Sequence, residues 1–491
     1  MGLSLALNTA RSSLQASSTQ MAVISRNNAG ATDAAYSRKI ASLVTADGGV
    51  RISVRRASDT ALFYKMLSTT SNAAGQQAIL EGFDKLKYTV GDTSLGQSAA
   101  ARIGALNAAL SQYANKPDDA NLGRAVVDRA SELATMLNEG TTIVQSARKD
   151  ADTKIAESVS RVNDLLGQFE TANRAVVRGT AAGIDISDAL DARDKILAQI
   201  SEEMGITVST RENNDMAIYT DSGVTLFEKT PRSVTFSPTN TFTAGAVGAA
   251  VYVDGVQITG EGPMPIHSGQ LVGLVQVRDE IAVTYQGQLD AIAAGLIDAF
   301  AEADQSPPPV GPKLAGLLTY SGSGAPGMPS GSDLVGLAGL ITTNALIDPA
   351  KGGKLDYLRD GGTYGDPSYV YNPGGLGGNS AFADRLNGIA ANMGADRTFD
   401  PDLGLGAPAS LQAFSTFSAG WLESGRKAAS SEVDYRITLL GHASEALSNA
   451  TGVNMDDETA LMLQVEKSYS ASAKLLSVID EMLRTLLNAV S

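Results

Sequence analysis

The stretch Val453–Ser491, VNMDDETALMLQVEKSYSASAKLLSVIDEMLRTLLNAVS, decides the fold of this chain. Met462, Tyr469, Leu476, Leu483 and Val490 form one row along it, and Val465, Ser472, Ile479 and Leu486 form a second. Steps of three and four between the rows are the heptad seam of a coiled coil. Leu461, Leu475 and Met482 widen the seam, so the helix carries more apolar surface than one partner helix covers. Asn454 suits the N-cap; Asp456, Asp457 and Glu458 sit where the helix dipole favours negative charge, and Arg484 lies in the favourable last turns. A helix this apolar must dock onto something. Ser472 is the one polar break in its seam, a place where close packing matters more than burial.

A matching stripe lies at the other end. Leu3, Leu7, Ala10, Leu14, Ser17, Met21 and Ile24 step by four and three, with smaller and more polar residues. A helix over that span is roughly 30–40 Å long at ~1.5 Å per residue. The simplest arrangement packs the two ends on each other. Neither is robust alone in water, because helical stability comes mostly from burying the apolar face, so the ends are expected to fray in the monomer and order on assembly. These two stripes form the candidate assembly interface.

Composition narrows the function. The chain has 491 residues, enough for two to four domains, and a formal net charge of -15 with no basic block. That argues against a nucleic-acid partner, whose affinity comes from clustered Lys and Arg. With no cysteine there is no disulfide framework, thiolate metal site or cysteine nucleophile. The histidines are His267 and His442 alone, which excludes a multi-histidine metal site. The N-terminus has neither the basic nor the apolar region of a secretory signal, and Ala6 stands where myristoylation wants Ser or Thr. No run reaches membrane-spanning length, so no membrane insertion is expected and any export uses a route without a cleavable signal.

In chain order, the first helix stops at Asn27-Asn28-Ala29-Gly30, and Lys39–Thr45 and Val50–Arg55 flank Asp47-Gly48-Gly49 as a β-hairpin. Helical patterns follow from Ser58 to about Val90, after Lys116-Pro117-Asp118, and from Asp188 to Glu203. The second of these keeps Val126, Ala130, Leu133, Leu137, Gly140, Val144 and Ala147 in phase. After one slip, Ala151, Ile155, Val159, Val162, Leu166, Phe169 and Val176 continue it, as one long helix or two collinear ones. From Gly205 short strand-like runs take over, with Asp221-Ser222-Gly223 and Asp254-Gly255 as hairpin turns. A helical segment at 271–303 interrupts them, and 310–380 reads as loops and short strands. Helix resumes at Phe382–Asn392 and from about Leu411 to Asn449. The expected fold is α+β, elongated and multidomain. Residues 1–57 with 453–491 make a terminal coiled-coil and hairpin domain, 58–205 with 405–452 a helical rod, and 206–404 a β-rich, outward-facing part that includes 271–303.

The chemical candidates have blander readings. Asp185, Asp188, Asp191 and Asp194 recur every three residues, but Arg193 is adjacent and no histidine completes a metal site. Gly374-Gly375-Leu376-Gly377-Gly378 follows Asn372-Pro373 rather than a strand and lacks the Gly-Lys-Ser/Thr ending of a phosphate loop. Neither histidine sits in a nucleophile elbow. No catalytic residue, metal ligand or cofactor site is assigned.

Several segments do carry a likeness. Ile24-Ser25-Arg26-Asn27-Asn28-Ala29 through Tyr36-Ser37-Arg38, Leu190–Asp194, and Ser268-Gly269-Gln270-Leu271 through Val277-Arg278-Asp279 resemble motifs of the flagellar hook-associated protein 1 family, the hook–filament junction proteins of the rod/hook axial superfamily. Gly452-Val453-Asn454 with Asp456-Asp457-Glu458, Tyr469–Lys474 and Ile479–Leu483 follow the C-terminal pattern that rod and hook proteins share. Ala35 replaces the glycine usual before Tyr36. The resemblance implies a non-enzymatic subunit, secreted through the flagellar type III channel and incorporated as an adaptor ring at the hook–filament junction of the bacterial flagellum. Its implied partners are further copies of itself, the hook protein, the distal junction protein and a cytoplasmic export chaperone that covers the last helix. The alternatives are a hook- or filament-type subunit of the same class, and a cell-wall hydrolase carried on an axial scaffold, which needs convergent acidic or histidine residues in the central part.

Overall fold

The chain turns back on itself so that its first and last helices lie side by side. The computed structural model describes residues 2–33, 35–46, 49–90, 97–322, 324–406 and 408–490. Helix α1 (Gly2–Gly30) leads to an antiparallel hairpin, β1 (Lys39–Ala46) with β2 (Gly49–Arg56), in register from Lys39 opposite Arg56. The Asp47-Gly48 turn expected between them lies outside the described residues.

Four helices follow: α2 (Thr60–Leu86), α3 (Ala99–Asn115), α4 (Ala120–Ala182) and α5 (Ser187–Glu203). Each local signal has a cause. Asp59, Ser98 and Asp119 accept hydrogen bonds from the first free N–H groups of α2, α3 and α4, and Gly183 closes α4 in the left-handed conformation at φ +68°. The two phases read in α4 belong to one continuous helix of 63 residues, about 95 Å long at ~1.5 Å per residue. Both apolar rows are buried, because α3, α5 and later helices pack along successive parts of it. Helix α3 is absent from the sequence reading, although Ile103, Leu106, Leu110 and Tyr113 are buried at helical spacing.

The middle of the chain holds small antiparallel sheets. One orders β3 (Ile206–Thr210), β4 (Met216–Thr220) and β5 (Thr225–Phe227); another orders β6 (Val234–Thr235), β7 (Tyr252–Val253) and β8 (Val256–Gln257). The turns at Gly223 and at Asp254-Gly255 join strands as expected; the latter pair has φ of +46° and +83°, the primed form that suits strand twist. Helices α6 (Gln270–Gln276) and α7 (Ala282–Ala299) come next, joined by a wide π turn. They lie in the helical bundle, with α6 against α2 and α7 against α4 and later α10. Gly75 and Gly273 allow the α2–α6 crossing, since a Cβ on Gly273 would run into the Gly75 carbonyl oxygen. The strand pair β9 (Leu318–Tyr320) and β10 (Ile341–Thr343) and the short α8 (Asp356–Asp360) occupy the loop-rich part.

Helices α9 (Asp384–Gly394), α10 (Leu411–Thr451) and α11 (Met455–Val490) complete the chain. Helix α10 packs against α2 and α3, where Phe83 and Tyr285 flank Trp421. One apolar core runs from Leu67 to Ala429; among the described residues, none of α1 or α11 belongs to it. The molecule is α+β, predominantly helical, and the terminal pair stands apart from the main core.

Candidate functional site

Helices α1 and α11 pack on each other in antiparallel register. Ser13 Oγ lies 2.9 Å from Ser472 Oγ, and at the other end Asn27 Nδ2 lies 3.0 Å from Glu458 Oε2. The heptad row is the buried one: Val465, Ser472 and Ile479 are 5%, 6% and 8% exposed, opposite Ala10, Ser17, Val23 and Ile24. Met462, Tyr469, Leu476 and Leu483 of α11, with Leu7, Leu14 and Met21 of α1, are half-buried at the edges of the seam. Leu3 lies in α1, and its side chain is outside the described residues.

The surplus residues face outward. Leu461, Leu475 and Met482 are exposed, as are Leu463 and Val478. Leu486, expected in the seam row, is 55% exposed. Its neighbour Leu487 is 70% exposed. With Ser13 facing Ser472 in antiparallel register, Leu486 and Leu487 lie beyond the part of the seam formed by the described side chains of α1. Leu475, Val478, Met482 and Leu486 step by three and four, so they form one uncovered stripe along the second half of the helix.

The base of the pair is polar and closed. Asn27, 1% exposed, donates from Nδ2 to the Lys39 carbonyl (2.8 Å) and to Glu458; its Oδ1 accepts from the Lys39 N–H (2.8 Å) and the Tyr36 hydroxyl (3.0 Å). That is the full capacity of an amide side chain. Glu458, also 1% exposed, accepts from Arg38 Nε at 2.6 Å. The Lys39 side chain is wholly buried beneath the Tyr36 ring and pairs with Asp191 of α5, with Asp188 3.6 Å away. Arg56 bridges Asp191 and Asp194, and Arg26 faces Asp185 and Asp188 at 3.6 and 3.7 Å. The four aspartates that recur every three residues therefore answer cations of α1 and the hairpin. Burial, then the carboxylates of Asp188 and Asp191, push the Tyr36 phenol up to about 12, so it remains a donor to Asn27 throughout the ordinary pH range.

These base residues escape a periodicity reading, yet the signal is present. Glu458 falls seven residues before Val465, and Asn27 three after Ile24, so both lie where the seam continues. A carboxylate and an amide on an apolar row demand partners.

The remaining motif, Val277-Arg278-Asp279, serves the body. The π turn brings Arg278 inward, 1% exposed, to pair with Asp152 (2.6 Å) and Asp279 (2.7 Å) and to donate to the Ala249 carbonyl. Arg148 reaches the carbonyls of Thr243, Ala244 and Ala246, so two buried arginines hold one irregular loop. His267 is exposed, with Nδ1 3.7 Å from Asp221, whose carboxylate takes the Ser268 hydroxyl; that serine bonds to Ser71 rather than to the histidine. Among the described residues no group of three or more His, Asp or Glu could hold a metal ion, and no helix is long and apolar enough to cross a membrane.

Parts of the chain are similar to known protein families. Residues 85–306 match the family described as the flagellar hook-associated protein FlgK helical domain, and residues 444–489 the family described as the flagellar basal body rod FlgEFG protein C-terminal segment. Flagellar hook-associated protein 1 of Salmonella typhimurium LT2 is 22% identical over 315 residues, and that of Escherichia coli K12 is 21% identical over 313. Each match covers 61% of this chain and 56% of the relative, so the chain spans just over half the length of the curated relatives it matches. The flagellar hook junction protein FlgK from Burkholderia pseudomallei aligns with a TM-score of 0.42 and 17% identity, over 52% of this chain and 47% of that one.

Proposed function

We infer that the chain, similar over residues 85–306 to the FlgK helical domain and over 444–489 to the C-terminal segment of flagellar rod proteins, is a structural subunit of the adaptor between hook and filament. The observation that carries this reading is the α1/α11 pair with its uncovered stripe. A two-helix rod outside the main core, still exposing Leu475, Val478, Met482 and Leu486, is built to be covered by neighbours. Residues 1–57 with 453–491 then form the assembly domain. The body is the long helical domain of 58–205 with 405–452, onto which 271–303 packs, and the sheets and loops of 206–404 face outward. The subunit has no catalytic task. It leaves the cell through the flagellar type III channel, held beforehand by a chaperone on α11, and assembles into a ring with copies of itself between the hook protein and the next junction protein.

The C-terminal match is to rod proteins, so a hook-type subunit is the second reading. Immunolabelling of isolated flagella separates the two: a junction subunit marks one narrow band, a hook subunit the whole hook. Ile479→Asp and Leu476→Asp place a charge in the seam, and each is expected to abolish incorporation and filament growth. Normal motility in both variants would overturn the reading.

A further inference from the structure

The α1/α11 rod has to leave the body at one angle if its uncovered stripe is to meet a neighbour in register. Apolar contact alone does not set such an angle, because it is non-directional and tolerates rotation and sliding. The extended packing of α11 is with α1; α1 in turn rests on β1 and β2, and β2 rests on α5. Between rod and body the directional contacts are those around Asn27 and Glu458, with the looser Arg26 pairs to Asp185 and Asp188 at 3.6 and 3.7 Å beside them.

We propose that Asn27 and Glu458 form a lock that fixes the orientation of the terminal helix pair on the body. Two distant parts of the chain meet there: Asn27 of α1 with Tyr36, Arg38 and Lys39 on the segment that leads from α1 into the hairpin, and Glu458 in the first turn of α11. Arg38 N–H also donates to the Thr451 carbonyl at 2.8 Å, tying the α10–α11 link to the same point. From Lys39 the chain of contacts continues to Asp191 on α5, which is part of the body. Tilting the rod breaks several of these bonds together and leaves buried polar groups without partners, so one orientation dominates. The amide is required as such. An aspartate at position 27 keeps the acceptor for the Lys39 N–H and the Tyr36 hydroxyl, but turns a second acceptor toward Glu458 Oε2 and the Lys39 carbonyl.

The test exploits the cysteine-free chain. Ser18→Cys on α1 and Ser160→Cys on α4 are both exposed, and spin labels there report the distance between rod and body in the purified full-length protein. The parent is expected to give one narrow distance distribution. Asn27→Asp is expected to add a second, shifted population, with far-ultraviolet dichroism and Trp421 fluorescence unchanged because seam and body stay folded. Adding Glu458→Gln to Asn27→Asp restores a donor facing the new carboxylate, while the Lys39 carbonyl still lacks one, and is expected to shrink the second population. A parent distribution as broad as that of Asn27→Asp, an Asn27→Asp variant identical to the parent, or a double variant whose second population is as large as that of Asn27→Asp would each overturn the proposal. None of these outcomes depends on the protein's place in a flagellum.

Discussion

Arg278 shows how much one side chain can hold. It is buried beside Asp152, itself 1% exposed, and is also the donor to the loop at Ala249. Arg278→Met removes the cation and leaves the buried carboxylate with the Thr239 N–H but without its ion pair, and breaking such a pair costs about 3–5 kcal/mol. The expected result is a clearly lower urea midpoint, with Asp152→Asn added to Arg278→Met recovering part of the loss. Asp304 offers a second residue-scale prediction. The Ser306 hydroxyl, then the N–H groups of Ser306, Val310 and Gly311, hold its carboxyl well below the usual range. Its folded pKa is depressed, so the stability it contributes is present above the unfolded value near ~4 and is lost as pH falls through the folded one. Thermal unfolding at pH 5 and pH 3 is expected to show a smaller acid loss for Asp304→Asn than for the parent. Equal losses would assign the acid sensitivity to other carboxylates.

At the scale of elements, the seam was legible because heptad spacing is a long, repetitive signal. The buried row Val465, Ser472 and Ile479 falls where periodicity places it, and both phases of α4 are buried. The exposure of Leu486 was not legible, since it depends on the register of α1 against α11. Helix α3 is short and Ala-rich, and its Ile103, Leu106, Leu110 and Tyr113, though at steps of three and four, make too brief a stripe to stand out beside the longer patterns on either side. The polar base was hidden for another reason: its partners Asn27, Lys39, Asp191 and Glu458 are far apart in sequence, and periodicity carries no pairing. The seam also makes a graded prediction. Ser472→Ala loses one hydroxyl contact, about 0.5–1.5 kcal/mol, whereas Ser472→Leu forces two close helices apart at about 1–3 kcal/mol. Helix melting followed by dichroism should rank leucine as the worse substitution. The reverse order would mean the helices are not closely packed there.

For the whole molecule, alternation of helical and strand-like grammar was enough to give an α+β chain with β material in the middle. Placing α6 and α7 in the bundle was beyond it, because their apolar faces look the same whether the neighbour is a sheet or α2 and α4. Glycines at Gly75 and Gly273 mark that crossing only once both helices are seen together.

The pairing of α1 with α11 also has a consequence in time. Position 13 meets position 472, so the first helix made waits for nearly the last one before it can be buried. The loop between them costs little in equilibrium stability, because closure entropy grows only with the logarithm of length, but contacts this distant form late. The rod is therefore the last part to fold and the first to open, a cooperative unit separate from the core that spans Leu67–Ala429. Amide exchange in the isolated chain is expected to be fast through α1 and α11 and slow in α4. A rod as protected as α4 would show that the two fold as one unit. A chain built this way can release its assembly end without dismantling its body.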